Sequence, residues 1–337
     1  MLQMEMLYPT TLADALAMLG KRGAIPLAGA TDVIPSIRKG EIAPKTLVNL
    51  KSIPDLAGVR RVRGGPSTGS GSRPQAAQGS PRAKPRGGIR IGALTKIGEL
   101  LDDDVILAEL PLLAEVAGGF GSVQTRNLAT IGGNICNAAP SADMALPLLV
   151  LDARLEVYGR GGVRAIEMAD FFLGLGKTAV RRGEILTSIT IPKPRARTTA
   201  GRGTCATGAA HEKLGVRQAM DLAFVAVAGL VQLSPDGRKC RLARIALGAV
   251  APTPMRARKA EAALEGAPLT DEVIAEAAAA AAAESRPISD LRASKEYRRE
   301  MVEVLTRRAL HEAVSRARLV LRSEVTSPLR RVAREGR

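Results

Sequence analysis

Two short runs hold the residue types from which this chain could build a binding site. One is Ala28-Gly29-Ala30-Thr31-Asp32. The other is Thr130-Ile131-Gly132-Gly133-Asn134, with Pro140 and Asp143 following it. Small residues beside hydroxyls and amides let main-chain N–H groups come close to a ligand, and turns of this kind hold anions, phosphates above all. Asp143, an acceptor only when ionised, suits hydroxyl groups instead. Taken singly, each run also reads as an ordinary turn between apolar segments. Other chemistries are poorly served. His211 and His311 are the only histidines, which argues against an imidazole metal site or a Ser-His-Asp triad. Cys136, Cys205 and Cys240 lie far apart with no CxxC spacing, against both a disulfide framework and a metal site built by this chain alone.

The elements that must position these runs can be followed along the chain. Thr11 can cap a helix bearing Leu12, Ala15, Leu16 and Leu19 at helical spacing, with Asp14 as the capping partner and Gly23 as the stop. Residues 24–28 read as a strand, which the small-residue turn at 29–32 joins to a helical run at 33–39. Residues 46–50 read as another strand. Residues 60–88 are rich in Gly, Ser, Pro, Gln and Arg and nearly free of large apolar residues, a composition expected to stay disordered. The chain resumes as a strand at 89–93, so the insertion sits inside a hairpin. Helices are expected at 96–101 and 110–118, a helix end and a strand across 146–158, and a strand over 184–192 that stops at Pro192. Residues 192–208 read as a linker. A strand over 220–228, a strand and turn at 244–254 and an alanine-rich helix at 270–285 follow. Ser294 can cap a last helix, with Tyr297, Met301, Val304, Leu305 and Ala309 on its apolar face.

The 337 residues suffice for two or three domains, and hydrophobic residues make up 46% of them although aromatics make up only 2%. That fits a globular protein packed with Ala, Val and Leu. No apolar run reaches the ~20 residues of a membrane span, and no secretion signal is evident at the N-terminus, so a reducing cytoplasm is expected. The formal charge of +16 raises nucleic acid as a partner. Much of that excess, however, is scattered or sits in low-complexity stretches, as with Arg195, Arg197 and Arg202 or Arg330, Arg331, Arg334 and Arg337. No aromatic residues interleave with it to stack bases. A solvated basic surface is the better account, and no nucleic-acid partner is expected.

The longer pattern R-N-x-A-T-I-G-G-N, then Pro140 and Asp143, resembles the second flavin-binding segment of the flavoprotein subunits of molybdenum hydroxylases, the medium chains of the carbon-monoxide and xanthine dehydrogenase family. AGATD resembles the first flavin segment, A-G-G-T-D in relatives, at a similar separation of about a hundred residues. Ala30 stands where many relatives have Gly, which is tolerable where the backbone needs no positive φ. Lys213 and Arg217 match the family's K-x-x-x-R, residues 221–228 its D-[IL]-A-x-V-x-V-A, and the P-T-P-x-R-A at 252–257 its C-terminal domain. The resemblance implies an α+β chain: a two-subdomain PCMH-type FAD-binding domain, then a C-terminal α+β domain with a small antiparallel sheet packed with helices. The expected divisions are 1–58 and 89–194 for the FAD-binding subdomains, 59–88 for the insertion, 195–208 for the linker, 209–322 for the C-terminal domain and 323–337 for a basic tail.

What the resemblance implies for the site is FAD contact by Pro26, Leu27, Ala28, Gly29, Ala30, Thr31, Asp32 and Val33 in the first segment. Thr130, Ile131, Gly132, Gly133, Asn134 and Asp143 serve in the second, with Phe120, Leu186 and Lys213 beside the cofactor. Phe120 also reads as a core residue and Lys213 as a solvated strand-end lysine. The N–H groups of both turns are expected to hold the diphosphate. No catalytic residue and no metal are expected on this chain. The implied partners are a large molybdenum-cofactor subunit and a small [2Fe–2S] subunit, assembled as a dimer of heterotrimers, with NAD or another acceptor taking the electrons. The alternatives are a self-contained flavin oxidoreductase, for which no substrate base is evident, and a basic nucleic-acid-binding or scaffold protein, which leaves both turns unexplained.

Overall fold

Short apolar runs alternating with amphipathic helices at the start of the chain dictate a small layered unit. In the computed structural model, which describes residues 4–63, 87–192, 205–217 and 219–326, these runs form β1 (Glu5–Leu7), α1 (Leu12–Leu19), β2 (Ala24–Leu27), α2 (Val33–Arg38) and β3 (Thr46–Asn49). The three strands make a parallel sheet in the order β1-β3-β2. Thr11 caps α1 by accepting from the Asp14 N–H at 3.1 Å, and its hydroxyl donates to the Asp14 carboxylate at 2.6 Å. The helix stops at Gly20, not at Gly23. Gly23 instead takes φ +82° in the turn into β2, where its carbonyl accepts from the Lys45 N–H at 2.9 Å.

A second layer follows. Strands β4 (Val59–Val62) and β5 (Gly88–Gly92) pair antiparallel on either side of the low-complexity insertion. After them come α3 (Glu99–Asp102), α4 (Asp104–Glu109), α5 (Pro111–Gly118), α6 (Val123–Arg126), α7 (Ile131–Asn137) and α8 (Ala145–Val150). The sheet is completed by β6 (Arg154–Gly159) and β7 (Gly162–Glu167). The hairpin β8 (Phe172–Gly174) and β9 (Lys177–Thr178) precedes β10 (Ile185–Pro192), which inserts centrally to give the order β4-β5-β10-β6-β7. The helix expected from Lys96 begins only at Glu99. Lys96 bridges Thr130, and the N–H groups of Ile97 and Gly98 donate to Ala129 and Arg126, each at 2.9 Å. Tertiary pairing has claimed those three residues before a helix could.

The remaining strands, β11 (Thr207–Leu214), β12 (Val225–Leu233), β13 (Cys240–Gly248) and β14 (Met255–Arg256), form an antiparallel sheet in sequence order. Three helices, α9 (Arg258–Leu264), α10 (Asp271–Glu284) and α11 (Lys295–Thr326), pack with it: α11 on β11 and β12, α9 on β13, and α10 on both helices. Their core joins Val225, Val227 and Ile245 to Ala277, Leu305 and Ala309. The strand expected over 220–228 starts at Val225, because Met220 adopts φ +55° and Phe224 N–H closes the loop onto Leu214 at 2.9 Å. The face of α11 is also rotated from its expected phase. Tyr297 is exposed, and Arg298 turns inward to donate to the carbonyls of Phe224 and Ala249 and to the Asp290 carboxylate.

The chain divides into two compact units. One comprises Met1–Leu148, Asp152–Lys193 and Arg217–Asp221; the other comprises Leu149–Leu151, Pro194–Val216 and Leu222–Arg337. Most of the expected insertion, linker and tail lies outside the described residues. Among the described residues no helix is long and apolar enough to cross a membrane, and no cluster of His, Cys, Asp and Glu could hold a metal ion.

Candidate functional site

The two runs singled out in the sequence come together in the first unit. At Gly29 an added Cβ would lie 2.3 Å from the Leu128 carbonyl oxygen and 2.8 Å from Ala129 Cα. Only a residue without a side chain lets the first turn rest on the turn that leads from α6 to Thr130. Asp32 adds a polar tie, its carboxylate accepting from the Asn137 amide at 3.2 Å. Asp32 is exposed as a residue, yet the atoms packed round its carboxyl push its pKa above the ordinary range, opposed by a hydrogen bond from Thr31.

Within the first turn, Ala30 sits at φ +67°. The substitution of Ala for the family's Gly therefore falls on a residue in the left-handed region, contrary to the condition under which it would be harmless. The N–H groups of Gly29, Ala30, Thr31 and Asp32 donate to no other group among the described residues, while the Ala30 carbonyl accepts from Ile34 at 3.2 Å. Four main-chain donors thus stand unspent at the C-terminal end of β2, next to the hydroxyl of Thr31.

The second turn is built the other way. Thr130 is the N-cap of α7, its hydroxyl accepting from Gly133 N–H at 3.0 Å. The N–H of Ile131 donates to Thr95 at 3.0 Å, that of Gly132 to Ala93 at 2.9 Å and that of Asn134 to Thr130 at 3.0 Å. The expectation that both turns offer backbone donors is thus corrected for the second one, whose N–H groups are already committed. Gly132 is needed for packing, since a Cβ there would lie 2.5 Å from the Ala93 oxygen. What this turn leaves available are side-chain groups. The Thr130 hydroxyl keeps its own proton to donate. The Asn134 Oδ1 accepts from Met144 N–H at 3.2 Å, which leaves the amide nitrogen. Asp143, next to Met144, is buried.

Of the other residues named from the sequence, Pro26 and Leu27 lie on β2, Val33 opens α2, and Leu186 is buried on β10, against which α7 packs. Phe120, half-buried, follows α5 in a loop; its carbonyl and that of Gly118, the last residue of α5, both accept from Arg126, at 2.8 and 3.1 Å. Lys213 belongs to the second unit, on β11 opposite Ala226. Nearby His211 is held neutral, its pKa pushed down to about 4 by burial and by the Lys213 charge. Sequence reasoning missed Asn137 and the receiving carbonyl of Leu128. It also missed the segment Arg217–Asp221, where Met220 N–H donates to Gly121 at 3.1 Å within the first unit. Of these, Arg217 and Asp221 had a sequence signal, as members of the family's motifs, as did Arg126.

The donor set suits a diphosphate-bearing, hydroxyl-rich ligand: unspent N–H groups in one turn, side-chain hydroxyl and amide donors in the other, and a buried carboxylate beyond. Known proteins agree. Residues 2–84 and 80–194 match the family described as the FAD binding domain in molybdopterin dehydrogenase, and residues 210–313 match the CO dehydrogenase flavoprotein C-terminal domain. The xanthine dehydrogenase FAD-binding subunit of Escherichia coli O157:H7 is 32% identical over 91% of this chain and 94% of its own. The carbon monoxide dehydrogenase medium chain of Afipia carboxidovorans is 36% identical over 92% and 96%. A solved structure of reconstituted CO dehydrogenase from Oligotropha carboxidovorans superposes with a TM-score of 0.80 at 34% identity, covering 93% of this chain and 98% of that one.

Fold and site together define an α+β flavoprotein whose cofactor is FAD. The chain belongs to the FAD-binding, or medium, subunits of the molybdenum hydroxylases, the xanthine and carbon-monoxide dehydrogenase family, and is the flavoprotein subunit of a multi-subunit oxidoreductase.

Proposed function

We propose that this chain is the electron outlet of its complex. It would receive electrons from the [2Fe–2S] clusters of a small partner subunit, served in turn by a large molybdenum-cofactor subunit, and pass them to NAD or another acceptor. Bound FAD supplies both one-electron and two-electron chemistry. The residues of this chain bind it, orient it and limit water around it. The assembly is a dimer of heterotrimers in the cytoplasm. The division of labour follows the expected boundaries: 1–58 and 89–194 form the cofactor domain and 209–322 the C-terminal domain, with 59–88, 195–208 and 323–337 as insertion, linker and tail.

Each group has a role that its chemistry permits. The N–H groups of Gly29, Ala30, Thr31 and Asp32 donate to the diphosphate, helped by the Thr31 hydroxyl, while Pro26, Leu27, Ala28 and Val33 shape the walls of that turn. Ile131, Gly132 and Gly133 set the position of Thr130 and Asn134, which donate through side chains. Asp143 accepts from a ribose or ribityl hydroxyl. Leu186 and Phe120 offer apolar cover to the ring system, and Lys213 a positive charge. The observation that supports this most is the seating of Gly29 on Leu128 and Ala129, which brings residues about a hundred positions apart into one site.

The test has two stages. The purified chain should take up stoichiometric FAD with an oxidised-flavin spectrum; a colourless protein that ignores FAD would overturn the reading. Chemically reduced iron–sulfur partner should then bleach the visible absorption of the bound flavin. A flavin that stays oxidised in the assembled complex would rule out the electron path.

A further inference from the structure

We propose that Arg126 is a positioning residue for the cofactor and acts through Phe120; this rests on the flavin reading of the first unit. Arg126 ends α6, four residues before Thr130. Its Nη1 donates to the carbonyls of Gly118, the last residue of α5, at 3.1 Å and of Phe120, in the loop that follows, at 2.8 Å. Its own carbonyl accepts from Gly98 N–H at 2.9 Å. One residue therefore joins three stretches: the loop bearing Phe120, the approach to the second turn, and the segment leading into α3.

The loop itself is fixed from both sides. Gly121 takes φ +50°, and Ser122 caps α6 by accepting from Thr125 N–H at 3.3 Å. On the far side Met220 N–H donates to the Gly121 carbonyl at 3.1 Å, and the Thr125 hydroxyl donates to the Met220 sulfur at 3.3 Å. A loop of glycines round a single aromatic has many backbone states open to it. Two charge-assisted bonds from one guanidinium nitrogen select one, because Nη1 directs its two in-plane N–H bonds at both carbonyls at once. Holding the Phe120 carbonyl fixes the backbone from which its ring projects and so narrows the rotamers open to it. Lysine keeps the charge but carries it on a freely rotating ammonium, without the fixed in-plane pair of N–H bonds that Nη1 supplies.

The experiment is a double-mutant cycle in the full chain, with FAD affinity and the visible absorption band of the bound flavin as readouts. Arg126→Ala and Phe120→Ala should each weaken FAD binding several-fold and shift the absorption band in the same direction. Added to Phe120→Ala, the Arg126→Ala change should produce no further loss. Arg126→Lys keeps the fold and the charge and should show an intermediate shift. Equal losses in both backgrounds would overturn the proposal, as would a silent Arg126→Lys together with a silent Arg126→Ala. A silent Phe120→Ala would also overturn it while leaving FAD binding itself intact, whereas failure of the unaltered chain to bind FAD would bring down the flavin reading.

Discussion

The two turns of the site have similar compositions and opposite constructions. In residues 29–32 the chain keeps its N–H groups unspent and holds Ala30 in the left-handed region. In residues 130–134 every N–H from Ile131 to Asn134 is committed inside the protein. Glycine serves closeness of packing in both, at Gly29 against Leu128 and at Gly132 against Ala93; the turns differ in whether their N–H groups are spent. The first turn is therefore the one whose main chain can still donate to an anion. The second is a rigid backstop that works through side chains. A glycine pair beside Thr and Asn does not by itself reveal which of these it is.

The comparison can be broken most forcibly at Gly29. A valine there would place carbon atoms into the Leu128 carbonyl, already 2.3 Å from an ideal Cβ, and the first turn would have to leave its seat. FAD affinity should fall by about 100-fold, equivalent to ~2.7 kcal/mol, as read by flavin titration; near-normal affinity would show that the turns need not meet. Gly132→Ala acts elsewhere. Its Cβ would lie 2.5 Å from the Ala93 oxygen and 2.8 Å from Ala93 Cβ, overpacking the junction of α7 with the end of β5. Unfolding in urea should show a loss of about 2–3 kcal/mol. A variant that binds FAD poorly at unchanged stability would mean that Gly132 touches the ligand after all.

Thr130→Val and Gly133→Ala sharpen the contrast at smaller scale. Thr130→Val removes the acceptor of the Gly133 N–H, while a Cβ on Gly133 would lie 2.8 Å from that same hydroxyl oxygen. Each should lower stability by about 1 kcal/mol as a lost helix cap. Because both abolish one bond, the double variant should fall well short of the sum. Full additivity, measured by the same urea titration, would show that they break different contacts.

Much of this architecture was readable in the residue order. Thr11 and Ser294 read as caps and each caps its helix in the structure, because hydroxyl capping is a local interaction, whereas the helix that Thr130 caps, in a run read as a turn, was not foreseen. The strands 24–28, 46–50 and 184–192 were legible through apolar patterning and their turn-forming or proline boundaries. Features set by distant neighbours were not legible. The delayed start of α3 depends on Lys96 meeting Thr130, and the phase of α11 depends on Arg298 finding carbonyls at Phe224 and Ala249. For the site, motif order pointed to the two turns. Whether an N–H is spent depends on which carbonyl lies opposite, as Ala93 and Thr95 do here, and spacing along the chain carries no such information.

The smallest effect is expected at Ala30, where three opposing effects nearly cancel. A left-handed conformation costs an alanine about 1–2 kcal/mol, and Ala30→Gly would release that strain. Glycine gives back ~0.5–1 kcal/mol through the greater freedom of its unfolded chain. The methyl group is half-buried against the cluster of Leu27, Ile37 and Leu47, so losing it removes part of the ~0.8 kcal/mol that a buried carbon supplies. Strain relief outweighs the other two, leaving a gain of a few tenths of a kcal/mol up to about 0.5. Thermal unfolding of the FAD-free chain should therefore shift upward by about 1–2 °C, with FAD affinity nearly unchanged, since the substitution adds and removes no donor. A downward shift would mean that the methyl contact outweighs the strain. A large drop in FAD affinity at raised stability would mean something more specific: that the alanine holds the unspent N–H groups in line, and that strain in the first turn is what keeps it open.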